Sequence, residues 1–150
     1  MSLESSYPVR LSELYREVIM DHYRSPRNKG ELPNPTVAVA LHNPLCGDEI
    51  TLQLQVEKGT IKQARFLGRG CSISQASASM MTQQLPGKTV AEAEEMIERF
   101  KRMMHGDEEA GKALGDAVAL AGVAKFPVRI KCALLSWEAL ERSLAQLPRA

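Results

Sequence analysis

Between residues 50 and 57 apolar and polar side chains alternate without a break: Ile50, Leu52, Leu54 and Val56 against Thr51, Gln53, Gln55 and Glu57. A period of two predicts a strand with one face buried and the other wet. Lys58-Gly59 follows at once, a turn signal that brings the chain back as an antiparallel hairpin. The returning strand changes phase, with Ile61 on one parity and Ala64 and Phe66 on the other, so a bulge is expected near Lys62-Gln63. Upstream, Val37, Val39 and Leu41 alternate with Ala38, Ala40 and His42 as a further short strand. Three strands in succession make a meander. Strand, helix and strand never alternate, which argues against a doubly wound parallel sheet.

The flanks are helical. Leu11, Leu14, Tyr15, Val18, Ile19 and Tyr23 follow the i, i+3, i+4 rule, with Ser12 a candidate cap and Pro26 a stop. Ser25 to Pro35 reads as loop. After Cys71, with Ser72 and Ser74 as candidate caps, Ile73, Ala76, Ser77, Met80 and Met81 form a stripe of mostly small residues suited to close packing. Thr89-Val90-Ala91-Glu92 is a capping-box pattern, and Val90, Ala93, Ile97, Phe100 and Met104 should then face inward. Gly106 to Gly115 is an acidic surface turn with a short helical piece, and Asp116 to Gly122 a further turn or two. The last helix starts near Pro127, its stripe being Ile130, Ala133, Leu134, Trp137, Leu140, Leu144 and Leu147.

Residues 1–150 suit a single domain with one core, residues 1–10 being expected as a flexible tail. Lys+Arg 19 against Asp+Glu 18 leaves a formal charge of +1, so no global field draws nucleic acid or an anionic membrane. No apolar run approaches the roughly 20 residues of a membrane span, and residues 1–10 lack a secretory pattern. Three cysteines, an odd number, point to thiol or metal chemistry in the cytoplasm over a disulfide framework.

A lone cysteine is by default a small buried hydrophobe, but each of these three has a setting that argues otherwise. Cys46 follows Asn43-Pro44 in a loop and precedes Gly47-Asp48, so a tight turn can aim a thiolate and a carboxylate at one point. Cys71 sits between Gly70 and Ser72 at a strand-to-helix junction. Cys132 lies about 120° from the centre of its helix's apolar stripe, with Arg129 three residues earlier. Helix N-termini and nearby cations are expected to lower thiol pKa values. If loop, junction and helix start meet at one end of the sheet, Cys46, Asp48, Cys71 and Cys132 supply an S₃O set, suited to tetrahedral zinc or to iron in an iron–sulfur centre. The separations of 25 and 61 residues match no short ligand pair, so convergence rests on the fold. His42 is a possible alternative ligand but reads better as a wet-face strand residue; His22 and His105 read as helix-surface or partner-facing residues. Met80-Met81 and Met103-Met104 read as core fillers.

Four blocks of the chain resemble the U-type iron–sulfur cluster assembly proteins (IscU-like, NifU N-terminal-like): residues Tyr15 to Gly30, Asn43-Pro44-Leu45-Cys46-Gly47-Asp48, Gly68 to Met81, and Gly122 to Ala133. Lys131 stands where the scaffold branch has histidine before its last cysteine, and the long stretch from Gly87 to Gly115 is similar to the insertion of the SufU branch. The resemblance implies an α+β fold, a three-stranded antiparallel sheet packed with about five helices. It implies zinc held by Cys46, Asp48, Cys71 and Cys132, with a [2Fe–2S] cluster on the same cysteines as the alternative. It further implies a sulfurtransferase role, in which a SufS-type cysteine desulfurase passes persulfide sulfur to Cys46, Arg129 assists, and a downstream iron–sulfur assembly complex receives the sulfur. No nucleic acid or membrane partner is implied.

Overall fold

In a computed structural model, which describes residues 3–148, a 22-residue helix α1 (Leu3–Arg24) leads into a loop and three strands, β1 (Val37–Asn43), β2 (Asp48–Glu57) and β3 (Thr60–Arg69). There follow α2 (Ser72–Gln84), α3 (Val90–Met104), the short α4 (Glu108–Gly111), a 3-10 segment (Lys112–Lys125) and α5 (Pro127–Ala145). This is the expected α+β arrangement of one antiparallel sheet and five helices. Residues 3–10, expected as a tail, are helical backbone; residues 1 and 2, and the side chains of Leu11 and Ser12, lie outside the described residues.

The sheet runs β1-β2-β3, antiparallel throughout. Lys58 and Gly59 both take left-handed backbone angles (φ 51° and 75°), as the two-residue hairpin turn requires. The expected bulge is at Lys62: Gln55 pairs with Gln63 but Val56 with Ile61. The shift lets Ile61 share the buried face with Ala64 and Phe66. The wet face is less wet than alternation suggested. Gln53 is buried, its Oε1 accepting the Leu32 N–H at 2.9 Å. The loop after α1 crosses here, tied to β3 by Gly30 N–H to Phe66 O and Phe66 N–H to Asn28 O, and to β2 by Thr36 N–H to Leu54 O.

Val37, Val39, Leu52, Leu54 and Ile61 of the sheet meet α2, α3 and α5 in one core, with Phe100 stacked on Trp137 at 4.3 Å. Both methionine pairs are buried there, as expected. The small residues of α2 bring α5 close enough for Ser77 Oγ to donate to Ala133 O (2.7 Å) and accept from Trp137 Nε1 (3.0 Å). The capping box of α3 forms in full.

Two helix faces differ from their expected ones. On α1, Leu14 and Tyr23 are exposed, while His22, expected at the surface, is fully buried. His22 Nδ1 bonds Ser79 Oγ at 2.7 Å and Nε2 bonds Asp116 Oδ2 at 2.8 Å, so this histidine pins α1 to α2 and to the 3-10 segment. On α5 a second line, Cys132, Leu135, Ser136, Ala139 and Ser143, is buried alongside the apolar stripe. Leu135 packs with Ile50 and Phe66 against the sheet. Cys132 was expected off the buried face; it is 2% exposed because α5 is covered on two sides.

Candidate metal centre

Asn43 closes the turn that presents Cys46. Its carbonyl accepts the N–H groups of Cys46 and Gly47, and its Oδ1 accepts that of Leu45. Gly47 has φ +69°, which lets the chain reverse between Cys46 and Asp48 without strain. The result is an exposed Cys46 two residues from a fully buried Asp48, the first residue of β2. Cys71 follows β3 and is itself the N-cap of α2: Ser74 N–H points at its Sγ, 3.5 Å away. Ser72 and Ser74, expected as caps, are not; the Ser74 hydroxyl instead donates to Cys71 O at 3.1 Å. Cys132 lies in the second turn of α5, which opens with Pro127.

The three pieces converge. Cys46 Sγ lies 3.3 Å from Asp48 Oδ2 and 3.4 Å from Cys132 Sγ, and one ligand atom from each of the three falls within 4.8 Å of the others. Cys71 Sγ stands 3.8 Å from the same Asp48 oxygen, and the other oxygen accepts the Cys71 N–H at 2.9 Å. Asp48 is therefore the hub. Gly70 makes room for it: φ is +151°, and a Cβ there would collide with Asp48 Oδ1. Three sulfurs around one buried carboxylate form a donor set of borderline-soft type that fits a thiophilic cation such as zinc.

Charge explains why the set is incomplete alone. Burial pushes the Asp48 carboxyl upward, but the Cys71 N–H, the Cys132 and Cys46 thiols and the Ser74 hydroxyl outweigh it and hold the group below the ordinary carboxylate value. The thiols go the other way. Burial raises Cys132, and its hydrogen bonds to Asp48 and Cys46 raise it further. Desolvation also raises Cys46, the Cys132 hydrogen bond only partly opposing it, with Asp48 and Cys71 adding to the rise. The expected lowering of thiol pKa values by helix ends and Arg129 is thus overturned for Cys46 and Cys132 without a metal: desolvation leads, and the Asp48 carboxylate adds to it. A bound dication reverses that logic.

The Arg129 side chain makes no hydrogen bond or ion pair among the described residues. It lines a cleft of about 650 Å³ on the far side of the first turn of α5, with Arg16, Ser72, Ile73 and Phe126. His42 is exposed on β1 opposite Glu49, and His105 is exposed at the end of α3; neither approaches the cluster. Two features escaped the sequence reading: the exposed apolar residues Leu45 (77%), Val128 (71%) and Phe126 (60%) around the site, and the buried Gln75 whose Oε1 has no partner; Lys131, a cation next to Cys132 in the sequence, shares a small pocket with Cys46. The first had a visible signal, apolar residues beside candidate ligands in loop or helix-start positions. No helix among the described residues is long and apolar enough to cross a membrane.

A family profile for the NifU-like N terminal domain matches residues 14–145. The chain is 51% identical over 142 residues to the zinc-dependent sulfurtransferase SufU of Bacillus subtilis, covering 94% of this chain and 96% of that protein. It is 44% identical over 142 residues to the iron–sulfur cluster assembly scaffold protein IscU of Streptococcus pyogenes, covering 94% and 89%. A crystal structure from Fervidobacterium islandicum AW-1, described as an iron–sulfur cluster assembly scaffold protein for the SUF system, superposes with a TM-score of 0.79 at 38% identity, covering 85% of this chain and 94% of that one.

Proposed function

This chain belongs to the NifU-like N-terminal domain family, and from that premise we propose that it serves iron–sulfur cluster biogenesis as a zinc-dependent sulfur acceptor. It takes persulfide sulfur from a SufS-type cysteine desulfurase and passes it to the downstream assembly machinery, in the cytoplasm. One observation carries the reading: of the three cysteines around Asp48, Cys46 alone is exposed, Cys71 being half-buried and Cys132 buried. A partner can reach Cys46 while the others stay in place. The 51% identity to a zinc-dependent sulfurtransferase agrees with this.

Cys46, Asp48, Cys71 and Cys132 would hold the zinc, whose chemistry is to keep the thiols ionised against the upward pull of their surroundings. Three thiolates and a carboxylate bring four negative charges to a dication, so the site stays net anionic, and Arg129 offsets part of that charge from the cleft side. Asp48 stays anchored by the Cys71 N–H, while the Asn43 turn leaves Cys46 on a short, exposed arm. The Cys46 thiolate attacks the outer sulfur of the donor's persulfide; the new S–S bond forms at Cys46 and the donor's S–S bond breaks, its electron pair leaving on the donor cysteine. The exposed Leu45, Val128 and Phe126 give a docking protein apolar surface to cover.

The test is transfer of ³⁵S from cysteine through a SufS-type desulfurase. Cys46→Ala should carry no label while its circular dichroism matches the parent; full labelling of that variant would refute the assignment. The identity to an IscU scaffold supports a second reading, assembly of a [2Fe–2S] cluster on the same residues. That reading requires an oxygen-sensitive brown chromophore that moves intact to an apo-protein.

A further inference from the structure

Once Cys46 leaves a metal and carries an extra sulfur, that sulfur needs a place to sit. Beside Cys46 lies a pocket of about 190 Å³ lined by Asn43, Leu45, Pro127, Val128 and Lys131. A sulfur atom is comparable in size to a water molecule, whose share of liquid volume is about 30 Å³, so the pocket has room to spare. Its walls are almost wholly apolar, the aliphatic stem of Lys131 among them. No acidic residue lines it, and the Lys131 side chain forms no hydrogen bond or ion pair among the described residues.

Helix geometry separates the two cations of this turn. Val128 and Lys131, three residues apart, share a face of α5. Arg129, two residues from Lys131, points about 200° away around the axis and lines the opposite cleft with Ser72 and Ile73. Of the two cations, only Lys131 lines the Cys46 pocket.

We propose that this pocket is a binding site for the sulfane sulfur of a Cys46 persulfide, with the Lys131 ammonium pairing the charge on its outer sulfur. The proposal rests on Cys46 being the sulfur acceptor. In the transfer step the Cys46 thiolate bonds to the donor's outer sulfur and the donor cysteine leaves as a thiolate, so with an ionised persulfide each partner carries one negative charge before and after, with no net oxidation. On Cys46 that charge sits on the outer sulfur, where the ammonium can make a charge-assisted contact. The ammonium restrains the persulfide until a second nucleophile removes the sulfur.

The experiment charges the full-length zinc-loaded protein with a desulfurase and cysteine, isolates it, and follows loss of the Cys46 persulfide to added cyanide by alkylation and peptide mass spectrometry. Lys131→Ala should lose it about tenfold faster than the parent, the scale of one hydrogen bond to a charged group, Lys131→Arg should restore most of the lifetime, and Lys125→Ala, which removes a cation of the opposite cleft, should leave it unchanged. Glutathione persulfide as an alternative donor should give the same ranking. Equal lifetimes in Lys131→Ala and the parent would overturn the pocket, as would a slower charging rate with an unchanged lifetime, which would mark Lys131 as a docking contact. A parent protein that carries no persulfide on Cys46 with either donor would overturn the sulfur-acceptor reading itself.

Discussion

Two polar centres among the described residues are built on opposite plans. Beneath α1, His22 bonds Ser79 through one ring nitrogen and Asp116 through the other, while Ser79 Oγ also accepts the Arg27 N–H at 2.8 Å. With Nε2 protonated toward the carboxylate, Nδ1 accepts the serine hydroxyl, and every group in the chain has a partner. At the end of the sheet, Asp48 collects the Cys71 N–H and the thiols of Cys46 and Cys132, and those two thiols are pushed to hold their protons. The first centre is complete in itself and contributes to stability. The second becomes complete only with a cation, so its contribution is to binding.

Breaking each centre should therefore move different observables. Asp48→Ala removes the hub and should reduce zinc affinity beyond the roughly 10–100-fold that loss of an outer hydrogen-bonding partner costs, read by competition with a chromophoric chelator. Near-parental affinity would show that the carboxylate is not a ligand. His22→Ala leaves a cavity and strands the buried Ser79 hydroxyl, and should lower unfolding free energy by about 2–4 kcal/mol in denaturant melts while zinc stoichiometry stays the same. If zinc binding fell in step, the two centres would be one. The smallest expected effect is on pH. Because Cys46 and Cys132 are raised in the metal-free protein, zinc loading must expel their protons; affinity should fall as pH falls, with proton release visible in unbuffered dye titrations. Loading without proton release would contradict the thiol assignments.

The same contrast marks what could be read from residues alone. Alternation along β2, the phase change after Lys58-Gly59 and the Thr89 capping box are local, so strand, bulge and cap were legible. The hub's ligands were legible as candidates because glycines, loop signals and a helix start surround them. What escaped depends on distant chain. His22 finds its partners 57 and 94 residues away, which no helical pattern reveals. Cys132 was placed off the buried face because Ser136, Ala139 and Ser143 are too small or polar to register as a stripe, although α5 is covered along them. Cys71 caps α2 with sulfur, an atom that capping preferences do not feature. Arg129 was paired with Cys132 from a spacing of three and from the resemblance; it lines a separate cleft, while Lys131 lines the pocket beside Cys46.

The central claim is that three cysteines and Asp48, drawn from a loop, a helix cap and a second helix, bind a single ion together. Zinc X-ray absorption on the purified protein tests it most directly. One zinc per chain with three sulfurs at about 2.3 Å and one oxygen at about 2.0–2.2 Å is the predicted result. A first shell dominated by nitrogen and oxygen, or one with two sulfurs or fewer, would contradict it.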